Sequence, residues 1–269
     1  MIDPESLLVI GASGPTGRCL LPLLHASGVP FVATSRHARD EPGTAWRVLA
    51  LEHDTSPCLA RTVLSLGPMD HLAGWLHRVQ TPNLTRVLAL GSISVRTKVA
   101  APLPGERAVA ARLAEAEHRL QELGTQRSVS VTIVRAGMIW DGRTDRNVVP
   151  ILEAARRWRC LPYPNRAGGR RNPIACTDLA RIFVALLTQP ATSGVIEVGG
   201  PETLDMRTMV QKLARSAGAL AIPMPGPLLN FIARSTGASG ERLRQVLTRW
   251  DQDQLAPAHP LATTGFLQD

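Results

Sequence analysis

The sequence predicts an α/β fold in which a doubly wound parallel sheet is followed by a small C-terminal α/β lobe. An apolar run at residues 7–10 leads directly into three glycines at residues 11–17, which is typical of a strand, a tight turn and a helix start. An amphipathic segment at 16–27 and a second apolar run at 31–35 complete a β-α-β unit. The length of 269 residues and the hydrophobic content of 44% suit one packed domain of this kind.

The later elements follow from the spacing of apolar residues. Strands are predicted at residues 46–51, 69–76, 86–94, 129–137 and 194–200. Helices are predicted at residues 57–66, 105–124, 148–158, 178–187, 205–217, 228–235 and 240–250. The run at 86–94 is almost continuously apolar, as expected of a strand that helices cover on both faces.

The glycine-rich loop predicts a binding site for a dinucleotide. Gly11 permits the tight turn, Gly14 lets a ligand approach the backbone closely, and Gly17 lets the helix pack on its strand. The free N–H groups at the start of the helix then face an anion, and the natural anion is a pyrophosphate. The predicted binding residues of this segment are Gly11, Ser13, Gly14, Pro15, Thr16 and Gly17.

The residues after the second strand favour NADP over NAD. Arg36 lies about twenty residues beyond the glycine loop, where an NAD site places an acidic side chain against the ribose 2′-hydroxyl. A guanidinium at this position offers a planar fork for the 2′-phosphate of NADP, with Ser35, His37 and Arg39 as additional candidate ligands. The alternative is an ordinary surface arginine beside a turn.

Composition and charge bear on several other classes of protein. The net charge is +8, and eight arginines lie between Arg143 and Arg171. Three interpretations of these arginines are open: a solvated face, a site for an acidic small molecule, and a nucleic-acid site. No nucleic-acid-binding motif accompanies them, so no nucleic-acid partner is expected. No run approaches the roughly 18 apolar residues of a membrane span, and the N-terminal MIDPES is not an apolar signal. A soluble cytoplasmic protein that does not associate with membranes is therefore expected.

The cysteines and histidines give no sign of a metal site. Cys19, Cys58, Cys160 and Cys176 lie far apart in the sequence, without the spacing of metal ligands. The seven histidines form no spaced pair on one helix face. We therefore expect buried free thiols and no bound metal.

Several motifs, in order along the chain, carry a family resemblance. The loop has the spacing GxxGxxG, and TIVRAGMIWDG (132–142) and NPIACTDLARIFVALL (172–187) follow it, as do GVIEVGGPETLDMRTMVQKLA (194–214) and HPLATTGF (259–266). Together they cover almost the whole chain. They resemble the extended and atypical short-chain dehydrogenase/reductases, in the nucleotide-sugar epimerase-like branch.

This resemblance implies a single Rossmann-type chain, with residues 1–142 as the dinucleotide-binding core and residues 143–269 mostly as a substrate lobe interleaved with that core. It implies an NAD(P)-dependent oxidoreductase or epimerase-like reaction on a polar small molecule, with a nucleotide-linked sugar as one candidate substrate. It also suggests a homodimer that uses the helix at 105–124.

The resemblance assigns further site residues. Ser92 matches the family's serine, which hydrogen-bonds the reacting oxygen; the alternative is a serine that only caps a strand end. Gly91 and Gly137 fall where the family's backbone passes the cofactor. Asp54 falls where the family places a residue near the adenine, with a simple loop cap as the alternative.

The family's catalytic YxxxK pair is absent. On the long predicted helix, Val109 stands at the tyrosine position and Leu113 at the lysine position, and neither can move a proton. The only tyrosine, Tyr163, lies in a distal proline-rich loop, and Glu115 and Glu117 are predicted to be solvated charges. Loss of the pair defines the atypical members, which include NADP sensors of the NmrA type. Two functions stay open: an atypical reductase or epimerase, and a non-catalytic NADP sensor or interaction protein.

Overall fold

The main sheet contains seven parallel strands in the part of the chain that the structure describes. This computed structural model describes residues 7–145, 148–166, 168–229 and 250–267. The strands are β1 (Leu7–Ile10), β2 (Val32–Ser35), β3 (Ala45–Val48), β4 (Thr62–Ser65), β5 (Arg86–Ser92), β6 (Ser130–Ala136) and β11 (Gly194–Val198). Their order across the sheet is β11-β6-β5-β4-β1-β2-β3. The winding reverses between β1 and β4, and the crevice at such a reversal is where ligands bind in open α/β sheets.

Helices cover both faces of the sheet, which confirms the predicted doubly wound fold. They are α1 (Pro15–Ala26), α2 (Met69–Arg78), α3 (Ser94–Thr97), α4 (Pro104–Arg127), α5 (Val149–Trp158), α6 (Cys176–Thr188) and α7 (Met206–Ser216). On one face, α2 and α4 bury Leu72, Trp75 and Leu120 against the strands. On the other face, α1 and α6 bury Leu24 and Phe183. Within the described ranges, every helix is too short or too polar to span a bilayer.

A smaller lobe follows β6 and contains three short two-stranded sheets among the described residues. β7 (Ile139–Trp140) pairs with β10 (Ile174–Ala175), β8 (Cys160–Pro164) pairs with β13 (Leu220–Met224), and β9 (Arg170–Arg171) pairs with β12 (Leu204–Asp205). Together with α5 and α7 they enclose an apolar core that includes Trp140, Met209 and Phe266. This lobe stands beside the carboxyl ends of β5 and β6.

One part of the predicted secondary structure is wrong. Residues 69–76, predicted as a strand, form most of α2, and residues 57–66, predicted as a helix, contain β4. A short apolar run does not by itself distinguish a strand from a buried helix, and β4 has only four residues. The predicted elements from residue 86 to residue 217 occupy their expected positions within a few residues. Most of the helices predicted at 228–235 and 240–250 lies outside the described residues.

Buried polar side chains attach the C-terminal segment, residues 250–267, to the rest of the molecule. Asp178 in α6 is 0% exposed. Its carboxylate accepts hydrogen bonds from the N–H groups of Thr263 (3.0 Å) and Thr264 (2.8 Å) and from the hydroxyl of Thr264 (2.9 Å). The buried Asn172 exchanges two hydrogen bonds with the backbone of Ala256. These contacts fix the C-terminal segment beside the smaller lobe.

Candidate functional site

The glycine-rich loop has the geometry that its sequence predicts. Gly11 has φ +77°, and a Cβ atom there would lie 2.9 Å from the backbone N of Gly67. The N–H of Gly14 donates to the carbonyl of Gly11 at 3.0 Å, and Gly14 is the N-cap of α1. A Cβ on Gly17 would lie 2.3 Å from the carbonyl oxygen of Ala12. Gly11 and Gly17 are therefore required by close backbone approaches, whereas a Cβ on Gly14 would lie 3.2 Å from the carbonyl oxygen of Gly11. The N-terminus of α1 is left open to a ligand.

A first cavity of about 680 Å³ lies over this loop and extends along the carboxyl ends of β1, β2 and β4. Its volume falls in the range typical of cofactor and small-molecule sites. Seven of the predicted cofactor residues line it: Gly11, Ser13, Gly14, Pro15, Thr16, Ser35 and Arg36. Gly17 lies beneath the loop, where it permits the packing of α1.

The side chain of Arg36 gives the far end of the first cavity a positive charge. Arg36 is exposed there and forms no hydrogen bond or ion pair within the described part of the chain. Ser35 Oγ, which also lines the cavity, accepts from the N–H of His37 at 3.3 Å. Arg39 instead donates to Glu41 at 2.9 Å and faces a separate surface depression. Of the four residues proposed around a 2′-phosphate, the structure thus brings only Ser35 and Arg36 into this cavity.

Glu52 and His71 form a contact in the first cavity that the sequence did not suggest. Glu52 Oε1 lies 2.8 Å from His71 Nδ1. The pKa of Glu52 is lowered, first by a hydrogen bond from its own backbone and then by electrostatic interaction with His71, His53 and Arg36. Asp54 is absent from the described lining; its Oδ1 accepts from the N–H of Ser56 at 2.8 Å, which is the loop-cap role. A contact of Asp54 with adenine stays a prediction.

A tight loop at residues 141–145 closes the first cavity opposite the glycines. Asp141 accepts hydrogen bonds from the N–H groups of residues 143, 144 and 145 and from the hydroxyl of Thr144. Burial raises the pKa of Asp141, but these hydrogen bonds outweigh burial and hold the pKa well below its ordinary value. Arg18 of α1 donates to Thr144, so the loop is joined to the glycine-rich segment. Thr144 and Asp145 line the cavity, and only the Asp-Gly turn signal in WDGRTD marked this loop in the sequence.

A second cavity of about 560 Å³ adjoins the first. The two share Gly67, Pro68, Leu90 and Ile139 as lining residues. The second cavity lies between the carboxyl ends of β5 and β6 and the smaller lobe. Ser92 lines it, and so do Gly91 and Gly137, which were predicted to bind the cofactor and are absent from the lining of the first cavity. The other lining residues include Ser94, Lys98, Leu113, Arg171, Met206, Met209, Trp250 and Gln254.

Ser92 has the capping role, and its contact with a substrate stays a prediction. Its Oγ accepts from the N–H of Ser94 at 3.2 Å, which caps the end of β5. The residue is partly exposed and lines the second cavity. The capping hydrogen bond fixes the side chain and leaves the hydroxyl proton available to a ligand.

The side chains that replace the YxxxK pair bring no proton donor to the cavity. Leu113 lines the second cavity and Val109 lines neither cavity. Tyr163 is 4% exposed and stacks on Trp250 with ring centroids 6.4 Å apart, so it belongs to the core of the smaller lobe. The expectation that Glu117 is solvated is wrong: its side chain is 5% exposed and pairs with Arg135 of β6. Arg135 lies 18 residues from Glu117 in the sequence, so the spacing of neighbours along a helix gives no sign of this pair. Glu115 is exposed as expected.

One of the four cysteines lies in the first cavity. Cys176 lines the first cavity, and Thr16 Oγ1 donates to its Sγ at 3.5 Å. Burial raises the pKa of the Cys176 thiol to about 12.

The arginines of residues 143–171 do not form one solvated face, because Arg171 is 6% exposed and donates to the carbonyl of Arg170 at 2.9 Å. The described residues contain no cluster of three His, Cys, Asp or Glu side chains able to hold a metal ion.

Comparison with known proteins gives the fold. No family model and no curated protein matches the sequence. Among solved structures, a nucleoside-diphosphate-sugar epimerase from Staphylococcus aureus matches with TM-score 0.65 at 18% identity, over 93% of this chain and 92% of that one. A UDP-glucuronic acid 4-epimerase from Bacillus cereus in complex with NAD matches with TM-score 0.64 at 15% identity, over 81% and 86%.

A third match is a GDP-mannoheptose C4 reductase from Campylobacter jejuni with NADP bound. Its TM-score is 0.64 at 12% identity, over 84% of this chain and 89% of that one. The seven-stranded parallel sheet of this chain agrees with the predicted resemblance. The chain therefore has the α/β Rossmann-type fold of these solved structures.

Proposed function

We propose that this chain is an NADP-binding, atypical short-chain dehydrogenase/reductase that works as an oxidoreductase or epimerase on a polar metabolite, with a nucleotide-linked sugar as the first candidate. The observation that carries the proposal is the pair of adjoining cavities. One cavity lies on the glycine-rich loop and the other on Ser92. A dinucleotide in the first would thus be continuous with a substrate in the second.

The residues of the first cavity fit a dinucleotide. The N-terminus of α1, with Gly14 as its N-cap, supplies backbone donors for a pyrophosphate. When bound, the cofactor supplies a hydride or accepts one. The solved relatives carry NAD in one case and NADP in another, so their likeness does not choose between them. Arg36 supports NADP, because a guanidinium forms paired hydrogen bonds with a phosphate.

The second cavity is the proposed substrate site. Ser92 presents a hydroxyl to it from the sheet, and the smaller lobe supplies Arg171, Met206 and Gln254. We propose that residues 1–142 form the cofactor-binding core and residues 143–269 mostly a substrate lobe. A cytoplasmic location and a homodimer through α4 remain part of this proposal.

The cofactor choice is tested by titrating NADP and NAD against the wild type and Arg36→Met. We expect NADP affinity to fall about 10- to 100-fold in the variant, because a charged hydrogen-bonding partner of the phosphate is lost, while NAD affinity changes less than threefold. Arg39→Met is the matched control, since Arg39 pairs with Glu41 outside the first cavity. In the wild type, NADP at 100 times its dissociation constant stabilises the fold by about 2.7 kcal/mol. A melting temperature that NADP does not move would contradict the proposal.

The second candidate function is a non-catalytic NADP sensor or interaction protein. It is favoured by the apolar Val109 and Leu113 on α4, which hold no proton donor at the positions of the catalytic pair. Both candidates predict NADP binding. They differ in turnover: NADPH oxidation above background with any carbonyl compound excludes the sensor, and tight binding without turnover on a broad panel of sugars and sugar nucleotides supports it.

A further inference from the structure

Among the described residues that line the second cavity, Lys98 is the one whose side chain can act both as an acid and as a base in water. Arg171, the other cation, holds its proton permanently and donates to a backbone carbonyl. Resting on the function proposed above, we infer that Lys98 Nζ is the group that gives a proton to, and takes it from, the reacting oxygen of the substrate.

The backbone of Lys98 is held in place at the end of α3. Its N–H donates to the carbonyl of Ser94 at 3.2 Å, and its carbonyl accepts from the N–H of Ala101 at 3.2 Å. Ser92 lies six residues earlier on the same strand-to-helix segment. Ser92 and Lys98 thus line the same cavity from one short, fixed segment.

The amine of Lys98 faces a buried carboxylate. Lys98 Nζ lies 3.8 Å from Glu106 Oε1, and the two side chains are 15% and 6% exposed. Glu106 stands in the first turn of α4, the helix that presents the apolar Leu113 to the cavity. Glu106 is a positioning residue, because it attracts the ammonium form and keeps the lysine side chain from extending into solvent.

The proton balance is simple in both directions. During reduction of a carbonyl, for which a bound reduced cofactor would supply the hydride, an N–H bond of the Lys98 ammonium breaks and an O–H bond forms on the substrate oxygen. Lys98 is left as a neutral amine. During oxidation of an alcohol, the neutral amine takes the hydroxyl proton. Ser92 Oγ donates a hydrogen bond to the same oxygen and undergoes no net change.

The sequence offers a direct test, because Lys98 and Lys212 are its only lysines. Reductive methylation with ¹³C-formaldehyde gives one NMR signal for each lysine, and Lys98→Arg and Lys212→Arg assign the two. Lys212 is the internal control: its Nζ pairs with Glu202 at 2.8 Å, and the residue lines neither cavity. The titration midpoint of each signal is measured with saturating NADP and again with saturating NADPH.

The oxidised nicotinamide carries one more positive charge than the reduced ring. An amine that transfers protons beside this ring should therefore titrate at lower pH with NADP than with NADPH, by about 0.5 pH unit or more, while Lys212 does not move. Equal midpoints for Lys98 in the presence of both bound cofactors would overturn the inference and leave cofactor binding intact. Failure of either cofactor to bind would overturn the proposed function as well.

Substitution supplies a second measurement. Lys98→Arg keeps the positive charge beside Glu106 but cannot release a proton near neutral pH, so turnover of any compound the wild type accepts should fall about 100-fold or more. NADP affinity of this variant should stay within twofold of the wild type. Lys212→Arg should keep full turnover. Turnover of Lys98→Arg within threefold of the wild type would overturn the inference, and the NMR titration decides where no compound is turned over.

Discussion

The two cavities are built in different ways. The first takes its floor from one local segment, the glycine-rich loop and the start of α1. It adds the ends of neighbouring strands, the loop at 141–145 and two single residues of other helices, His71 of α2 and Cys176 of α6. The second takes its lining from β5, β6, α3 and α4 and from distant parts of the smaller lobe and the C-terminal segment. A site for a common cofactor is thus encoded locally, whereas the site that would select a substrate depends on the packing of the whole chain.

The largest effect is expected from Gly17→Ala, which should disrupt the first cavity alone. In Gly17→Ala the new Cβ would lie 2.3 Å from the carbonyl oxygen and 2.5 Å from the carbonyl carbon of Ala12, and backbone atoms of a tight turn have little room to move. We expect a loss of about 3–5 kcal/mol of unfolding free energy and no measurable NADP binding. Urea unfolding and a fluorescence titration with NADPH measure both quantities.

Gly105→Ala is the control for this prediction. Gly105 stands in the first turn of α4, and a Cβ there meets nothing within 4 Å. The change should leave NADP affinity unaltered and stabilise the protein by about 0.5–1 kcal/mol. A Gly17→Ala protein as stable as Gly105→Ala would mean that the close approach of α1 to the loop is not required.

This glycine loop and the doubly wound sheet could be predicted from sequence because their signals are local. Gly11, Gly14 and Gly17 need no distant partner to specify a turn, an open helix N-terminus and a close packing contact. The wrong assignment at residues 57–76 shows the limit of local patterns. Four residues of β4 give a weak strand signal, and the apolar residues of α2 fit either state.

A smaller effect is expected at the C-terminal segment and should distinguish the cavities. Asp178→Ala removes the acceptor of two part-buried hydrogen bonds, from the N–H groups of Thr263 and Thr264, and also removes the partner of Arg181. We expect a loss of about 2–3 kcal/mol. Because Trp250 and Gln254 of this segment line the second cavity, the NMR signals around that cavity should broaden while NADP affinity stays within threefold.

Asp253→Ala is the matched control for the C-terminal segment. Asp253 pairs with Arg170 at 2.6 Å, and both side chains are well exposed, at 43% and 56%. An exposed ion pair contributes little, so the loss should stay below about 1 kcal/mol. Equal losses for the two aspartate variants, measured by denaturant unfolding, would contradict the role given to Asp178.

The smallest effect concerns the Cys176 thiol in the first cavity. Its pKa of about 12 means that about one molecule in ten thousand carries the reactive thiolate at pH 8. Iodoacetamide should therefore modify the partly exposed Cys160 first. Raising the pH from 8 to 10 should increase modification of Cys176 about 100-fold, and NADP should suppress it. Peptide mass spectrometry measures each site, and modification of Cys176 at the rate of Cys160 at pH 8 would contradict the burial that raises its pKa.

The candidate site beyond the loop could be predicted only in part. Ser92 was marked by its match to the family's serine. Lys98, Glu52 and Asp145 were not marked, because a charged residue in a loop or at a helix end gives no local pattern that separates a cavity lining from an ordinary surface position. Glu117 was expected to be solvated but is buried, because its pair with Arg135 joins α4 to β6. Long-range packing, which a single sequence does not display, decides all of these positions.

The pairing of Asp178 with residues 263 and 264 also constrains the order in which this molecule matures. A ribosome makes α6 well before it makes these two threonines, and Arg181 of the same helix already pairs with Asp178 Oδ1 at 2.7 Å. The threonines then add three hydrogen bonds to the carboxylate. Asp178 therefore has its full set of partners only when the C-terminal segment is in place.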